Sequence, residues 1–273
     1  MSGPRYGTVD TEYALRLAST PAADDGPVWM VNLMQYRAIA DYGDHAEASA
    51  GRTGREADDA YAPTESLEAV GAEIVYVAEV EHQFLGEGKP WDRVAIVKYP
   101  TRRAFIEMQE RADFKAKHIH KDAGMERTFV IGCQPVVPQL DERPGFDIES
   151  ADWSTVAHPP TDSDGVCHVL HVIKWNERGT ETMEGYHAEA FEVAARHGGR
   201  VAGWLAAEGT IVGDGRTWDE VRFNEFPSLA EFMEVVADPA RLQAQADYRE
   251  PAMADTYTLI CRPVINRLRA SFT

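Results

Sequence analysis

The chain has 273 residues, 44% of them hydrophobic and 26% charged, with 45 Asp plus Glu against 27 Lys plus Arg and a formal net charge of −18. That length supports one large domain or two ordinary ones with real cores, which argues against disorder as the overall state. So acidic a chain, with no Lys/Arg-rich run, repels phosphate backbones and anionic lipid, and no stretch approaches the roughly 20 apolar residues of a membrane span.

In chain order, residues 1–25 read as an N-terminal tail with one short amphipathic helix over 11–18. Then one pattern occurs twice. Strand one is predicted over 28–36 and again over 166–175, short runs rich in Val, Leu, Ile and aromatics. A helix follows over 181–197, closed by Gly198-Gly199; its counterpart over 64–70 is closed by Gly71. Strand two is predicted over 72–85 and 200–212. The Gly-x-Gly turns Gly86-Glu87-Gly88 and Gly213-Asp214-Gly215 lead into strand three, which ends at Tyr99-Pro100 or Phe226-Pro227. A second helix starts at Thr101 or Ser228 as N-cap and is expected to bury Phe105, Met108 and Ala112, or Leu229, Phe232, Met233 and Val236. Strand four is predicted over 128–133 and 256–261.

The copies are related by an offset of 127 residues, which places Trp91-Asp92 on Trp218-Asp219 and Phe105 on Phe232. One residue of slippage then places Thr128, Cys133 and Pro135 on Thr256, Cys261 and Pro263; at the front the offset is 139. The expected organisation is repeat one over 26–137 with an inserted loop over 38–63, a Pro-rich linker over 138–164 and repeat two over 165–273. Each repeat has the order βαββαβ, a ferredoxin-like split unit. The expected fold is α+β, with two fused ferredoxin-like repeats packed sheet to sheet as an internal dimeric α/β barrel.

At this point Val31-Asn32-Leu33, Gly198-Gly199-Arg200, Trp91-Asp92-Arg93-Val94, Tyr99-Pro100 and Phe226-Pro227-Ser228 carry a resemblance spanning about two hundred residues. The chain resembles the dimeric α/β-barrel superfamily, which includes antibiotic-biosynthesis monooxygenases and ethyl-tert-butyl-ether-degradation-type proteins, and within it an uncharacterised branch. The resemblance implies chemistry on a small organic molecule inside the barrel, by cofactor-free oxygenation, isomerisation, cyclisation or a haem-dependent route. It does not choose among these.

Strand alternation is expected to turn Val31, Leu33, Leu170 and Val172 toward helices, and Asn32, Met34, Tyr36, His171, Ile173 and Trp175 into the barrel. His171 is the candidate acid/base because imidazole titrates near neutrality; Asn32 and Tyr36 complete the candidate catalytic set. Met34, Trp175 and, from the inserted loop, Arg52 and Arg55 are candidate substrate contacts, with local pairing of the arginines to Glu56, Asp58 or Asp59 as the structural alternative. Cofactor and metal are expected to be absent. Haem is the alternative, with His187 or His197 as axial ligand. A non-catalytic binding or assembly protein is a third reading. His118-Ile119-His120-Lys121 is read as a solvated helix end. Cys133, Cys261 and the paired Trp-Asp steps are read as architecture. Three scattered cysteines fit a cytoplasmic setting, nucleic acid and membrane are not expected partners, and homodimer formation stays open.

Overall fold

A computed structural model describes residues 3–43, 51–136 and 153–272. Repeat one contributes strands β2 (Val28–Tyr36), β3 (Glu73–Leu85), β4 (Arg93–Tyr99) and β5 (Met125–Pro135), and repeat two contributes β6 (Cys167–Trp175), β7 (Arg200–Gly213), β8 (Glu220–Phe226) and β9 (Met253–Asn266). All pair antiparallel, in the order β5-β2-β4-β3 in one half and β9-β6-β8-β7 in the other. The halves do more than stack face to face. β3 pairs with β9 and β5 with β7, so eight strands close into one ring with no free edge. A two-residue strand β1 (Thr8–Val9) adds to the end of β7.

Helices cover the outside. Repeat one has α2 (Gly54–Tyr61), α3 (Thr64–Ala69), α4 (Arg102–Glu110) and α5 (Ala112–Gly124), and repeat two has α6 (Gly179–Arg196), α7 (Leu229–Ala237) and α8 (Pro239–Ala244). A π-helical turn over Gln245–Arg249 continues α8 toward β9. Thr101 and Ser228 do cap α4 and α7, each hydroxyl accepting from the backbone three residues on. The second helix of each repeat is broken where Arg111 or Asp238 turns extended, a kink that the apolar spacing does not reveal. Ala112, just past the break, is exposed, as is Met233 within α7, both expected in the core, and Val235 is buried.

Three further expectations are corrected. The inserted loop contains α2, held by a capping box in which Thr53 and Glu56 satisfy each other's backbone N–H groups. The N-terminal tail is docked: in α1 (Thr11–Ser19), Tyr13 and Leu17 are buried against the barrel wall. The strand faces are the reverse of those expected. Val31, Leu33, Leu170 and Val172 point into the ring with Trp91, Phe129, Trp218, Phe223 and Tyr257, and they fill it. The closed interior takes the more apolar strand face, where the buried His168 is satisfied by Tyr76 and Glu225, and the face that carries Asn32 and His171 lies under the helices. The barrel interior is therefore core, and its burial stabilises the fold by roughly 1.5–3 kcal/mol per large side chain.

The paired Trp-Asp steps close this architecture in both halves. Asp92 Oδ2 accepts from the Tyr36 backbone N–H at 2.6 Å, and Asp219 Oδ2 accepts from that of Trp175 at 2.8 Å, pinning the equivalent ends of β2 and β6. Cys133 and Cys261 are fully buried, and burial pushes both thiols up. Residues 138–152 of the linker lie outside the described residues; Trp153, the first described after them, donates to the Gly198 carbonyl at 2.9 Å. No described helix is long and apolar enough to cross a membrane.

Candidate functional site

Two cavities lie between the outer face of the barrel and the helices, one in each half. The larger, of about 940 Å³, is under α6, α7 and α8 of repeat two. Its apolar wall comes from helix and strand side chains such as Phe191, Phe226 and Phe232, and it is also lined by Phe84 and Leu85 at the end of β3 in repeat one. The Phe84 and Phe232 rings stack with centroids 6.0 Å apart. Repeat one thus completes the cavity of repeat two.

At the strand side of this cavity the polar groups converge. His171 projects from β6 and Thr258 from β9, which are directly paired. His171 Nδ1 lies 3.1 Å from Thr258 Oγ1, and Arg249 Nη2 donates to the same oxygen at 3.3 Å while standing 3.5 Å from His171 Nδ1. Arg249 is only 4% exposed, yet among the described residues no carboxylate comes within ion-pair distance of it. A guanidinium cannot shed its proton, so this is a charge buried without an ion-pair partner among the described residues, which is costly unless a ligand supplies one. The π-helical turn that carries Arg249 belongs to a class of helix irregularity often found at functional sites. Burial, followed by the positive charges of Arg249, Arg222 and Arg241, holds the His171 imidazole well below its ordinary 6.5, so it is neutral at pH 7. Arg222 is differently placed: it pairs with Glu220 at 2.6 Å and meets His187 Nε2 at the same distance.

The remaining sequence candidates are not gathered around His171. Asn32 and Met34 line the second cavity, of about 380 Å³, in repeat one. Tyr36 lines neither; its hydroxyl donates to Asp58 Oδ2 at 2.7 Å. Arg55 is held bidentately by Glu79, at 2.6 and 3.0 Å, and also pairs with Asp59, while Arg52 donates to the Tyr42 hydroxyl. Trp175 packs at the start of α6, against the position of Gly179. Arg249 escaped sequence reading because it lies beyond the helix break at Asp238, where a single helical phase no longer applies; Thr258 lies in the strand predicted over 256–261, where nothing in the sequence singles it out.

The two histidines considered for haem both have side-chain partners here. His187 lines the large cavity, but its Nε2 faces the Arg222 guanidinium and its Nδ1 lies 4.0 Å from Glu184. His197 is outside the cavity wall, with Nδ1 2.5 Å from Glu231 Oε1.

No family model matches the chain, and no curated protein does. Among solved structures, an anthrone oxidase-like protein shares the fold at 12% identity, over 93% of this chain and 98% of its own, with a TM-score of 0.54. A protein of unknown function from Rhodopseudomonas palustris is 29% identical over 50% of this chain and 100% of its own, with a TM-score of 0.41. A mutant chlorite dismutase from Candidatus Nitrospira defluvii is 12% identical over 90% of this chain and 95% of its own, with a TM-score of 0.48.

Proposed function

We propose that this chain is a duplicated ferredoxin-like barrel whose repeat-two cavity is the active site of a small-molecule enzyme. It binds an enolisable or phenolic aromatic compound and starts its chemistry by proton transfer, without a resident cofactor. The observation that carries this reading is the contact of a neutral imidazole, His171, with a buried cation lacking a carboxylate partner, Arg249, at one wall of a large apolar cavity. With the His171 Nδ1–H donated to Thr258 Oγ1, Nε2 is left to take a proton from the acidic C–H or O–H of the substrate. The electron pair moves onto the substrate oxygen, and Arg249 stabilises that developing oxyanion in surroundings where a charge pair is strong. The field of Arg249 makes His171 a weak base while the cavity is empty. An oxyanion beside the guanidinium cancels that field and raises the basicity as the reaction needs it. The resulting enolate or phenolate can then react with molecular oxygen, isomerise or cyclise.

Anthrone, an enolisable aromatic ketone after which one fold neighbour is named, is a suitable first probe. In D2O the protein should accelerate loss of its acidic C–H signal by NMR, and His171→Ala should slow that exchange at least roughly tenfold with the circular dichroism spectrum unchanged. Exchange at the wild-type rate in the variant would remove His171 from the mechanism.

A further inference from the structure

The cavity of repeat one has been left as a smaller space holding Asn32 and Met34, but it contains the same kind of feature as its counterpart. The offset of 128 that places Thr128 on Thr256 also places Lys121 on Arg249 and Val130 on Thr258, while the front offset of 139 places Asn32 on His171. The hairpin relation is reciprocal too: Ile211 and Val212 of repeat two line this cavity at the positions equivalent to Phe84 and Leu85. The two cavities thus match position by position, with Asn32 on the strand in repeat one where repeat two has His171.

Lys121, far from being a solvated helix end, is 8% exposed and lines the cavity. Its Nζ lies 5.7 Å from the centroid of the Tyr6 ring and 5.3 Å from that of Tyr61. Among the described residues no carboxylate is within ion-pair distance of it. Asp58, which also lines the cavity, is occupied at 2.9 Å by Arg93 and at 2.7 Å by the Tyr36 hydroxyl. His118, one turn before Lys121, accepts or donates at Nε2 with the Tyr6 hydroxyl at 3.3 Å, and its buried Nδ1 has no partner among the described residues. An ammonium flanked by aromatic rings in a cavity walled by Tyr99, Phe105 and Met108 is a receptor for a compact aromatic anion.

We propose that the repeat-one cavity is a second small-molecule site, which binds an aromatic carboxylate with the carboxylate on Lys121 and the ring among Tyr6, Tyr61 and the cavity methionines. At the strand position of His171 this cavity has Asn32. This assignment is independent of the chemistry proposed for repeat two.

Benzoate is the probe, and methyl-13C-methionine NMR is the readout, because Met30, Met34 and Met108 line this cavity and no methionine lines the other. Benzoate should shift these three methyl signals saturably, benzamide should fail to do so at the same concentrations, and Lys121→Gln should weaken the benzoate response at least tenfold. The benzamide comparison uses the wild-type protein and so stands even if the variant folds poorly. Absence of a saturable benzoate response, equal binding of benzamide, or undiminished affinity in a folded Lys121→Gln variant would each overturn the proposal.

Discussion

His118 and His171 occupy different cavities, and in both, burial is the first cause that keeps the imidazole neutral, with nearby cations adding to it: Lys121 for one, Arg249 for the other. His118 is lowered to about 4, whereas an unfolded histidine titrates near 6.5. Between those values the unfolded state binds more protons. The contribution is therefore fully present above about pH 6.5 and is lost as pH falls, by at most ~1.4 kcal/mol per unit for one histidine. The urea midpoint should fall between pH 7 and pH 5, above the range where Glu225, held below its ordinary 4.5 by its partners His168 and Arg200, is protonated. His118→Gln should flatten part of that fall, and an unchanged slope would contradict the assignment. At this scale the sequence was partly legible. His171 showed itself as a polar residue on an apolar strand, but Lys121 looked like a solvated end because burial at a helix terminus depends on what packs over it. The offset of 128 that pairs it with Arg249 was the available signal.

Elements were legible where hydrophobic period and turn chemistry agree: β2 occupies the expected residues, and the caps at Thr101 and Ser228 form as read. Strand faces were not, because alternation defines two faces without saying which becomes the closed interior of a barrel. Docking of α1 was also hidden, since it depends on gaps left by glycine in strands far along the chain. Tyr13 lies over Gly132 of β5 and Gly209 of β7, where a Cβ at Gly132 would meet the Tyr13 hydroxyl and one at Gly209 would come within 2.9 Å of its ring. Gly132→Ala should therefore lower stability in urea by about 1–3 kcal/mol through overpacking and loosen the N-terminal helix to proteolysis. A variant as stable as wild type would show that α1 does not depend on this gap.

At the level of the whole molecule, the described elements run in the same order in both halves of the chain around one filled ring, with a cavity outside each half that side chains from the other half help to line. The net charge of −18 does not describe those cavities. Each contains a buried cation, so an acidic protein has two local wells for anions, unequal in volume and in the element that carries the imidazole: a helix for His118, a strand for His171. Replacing a buried cation that has no counter-charge by an apolar side chain of similar length is compatible with folding, so Arg249 can be tested directly. The decisive measurement is calorimetric titration with 2-naphthoate in a Lys121→Gln background, which removes the proposed repeat-one site, with and without Arg249→Met. Binding at one site that weakens at least tenfold on loss of the guanidinium is the predicted result; equal affinity with and without Arg249 would contradict the account.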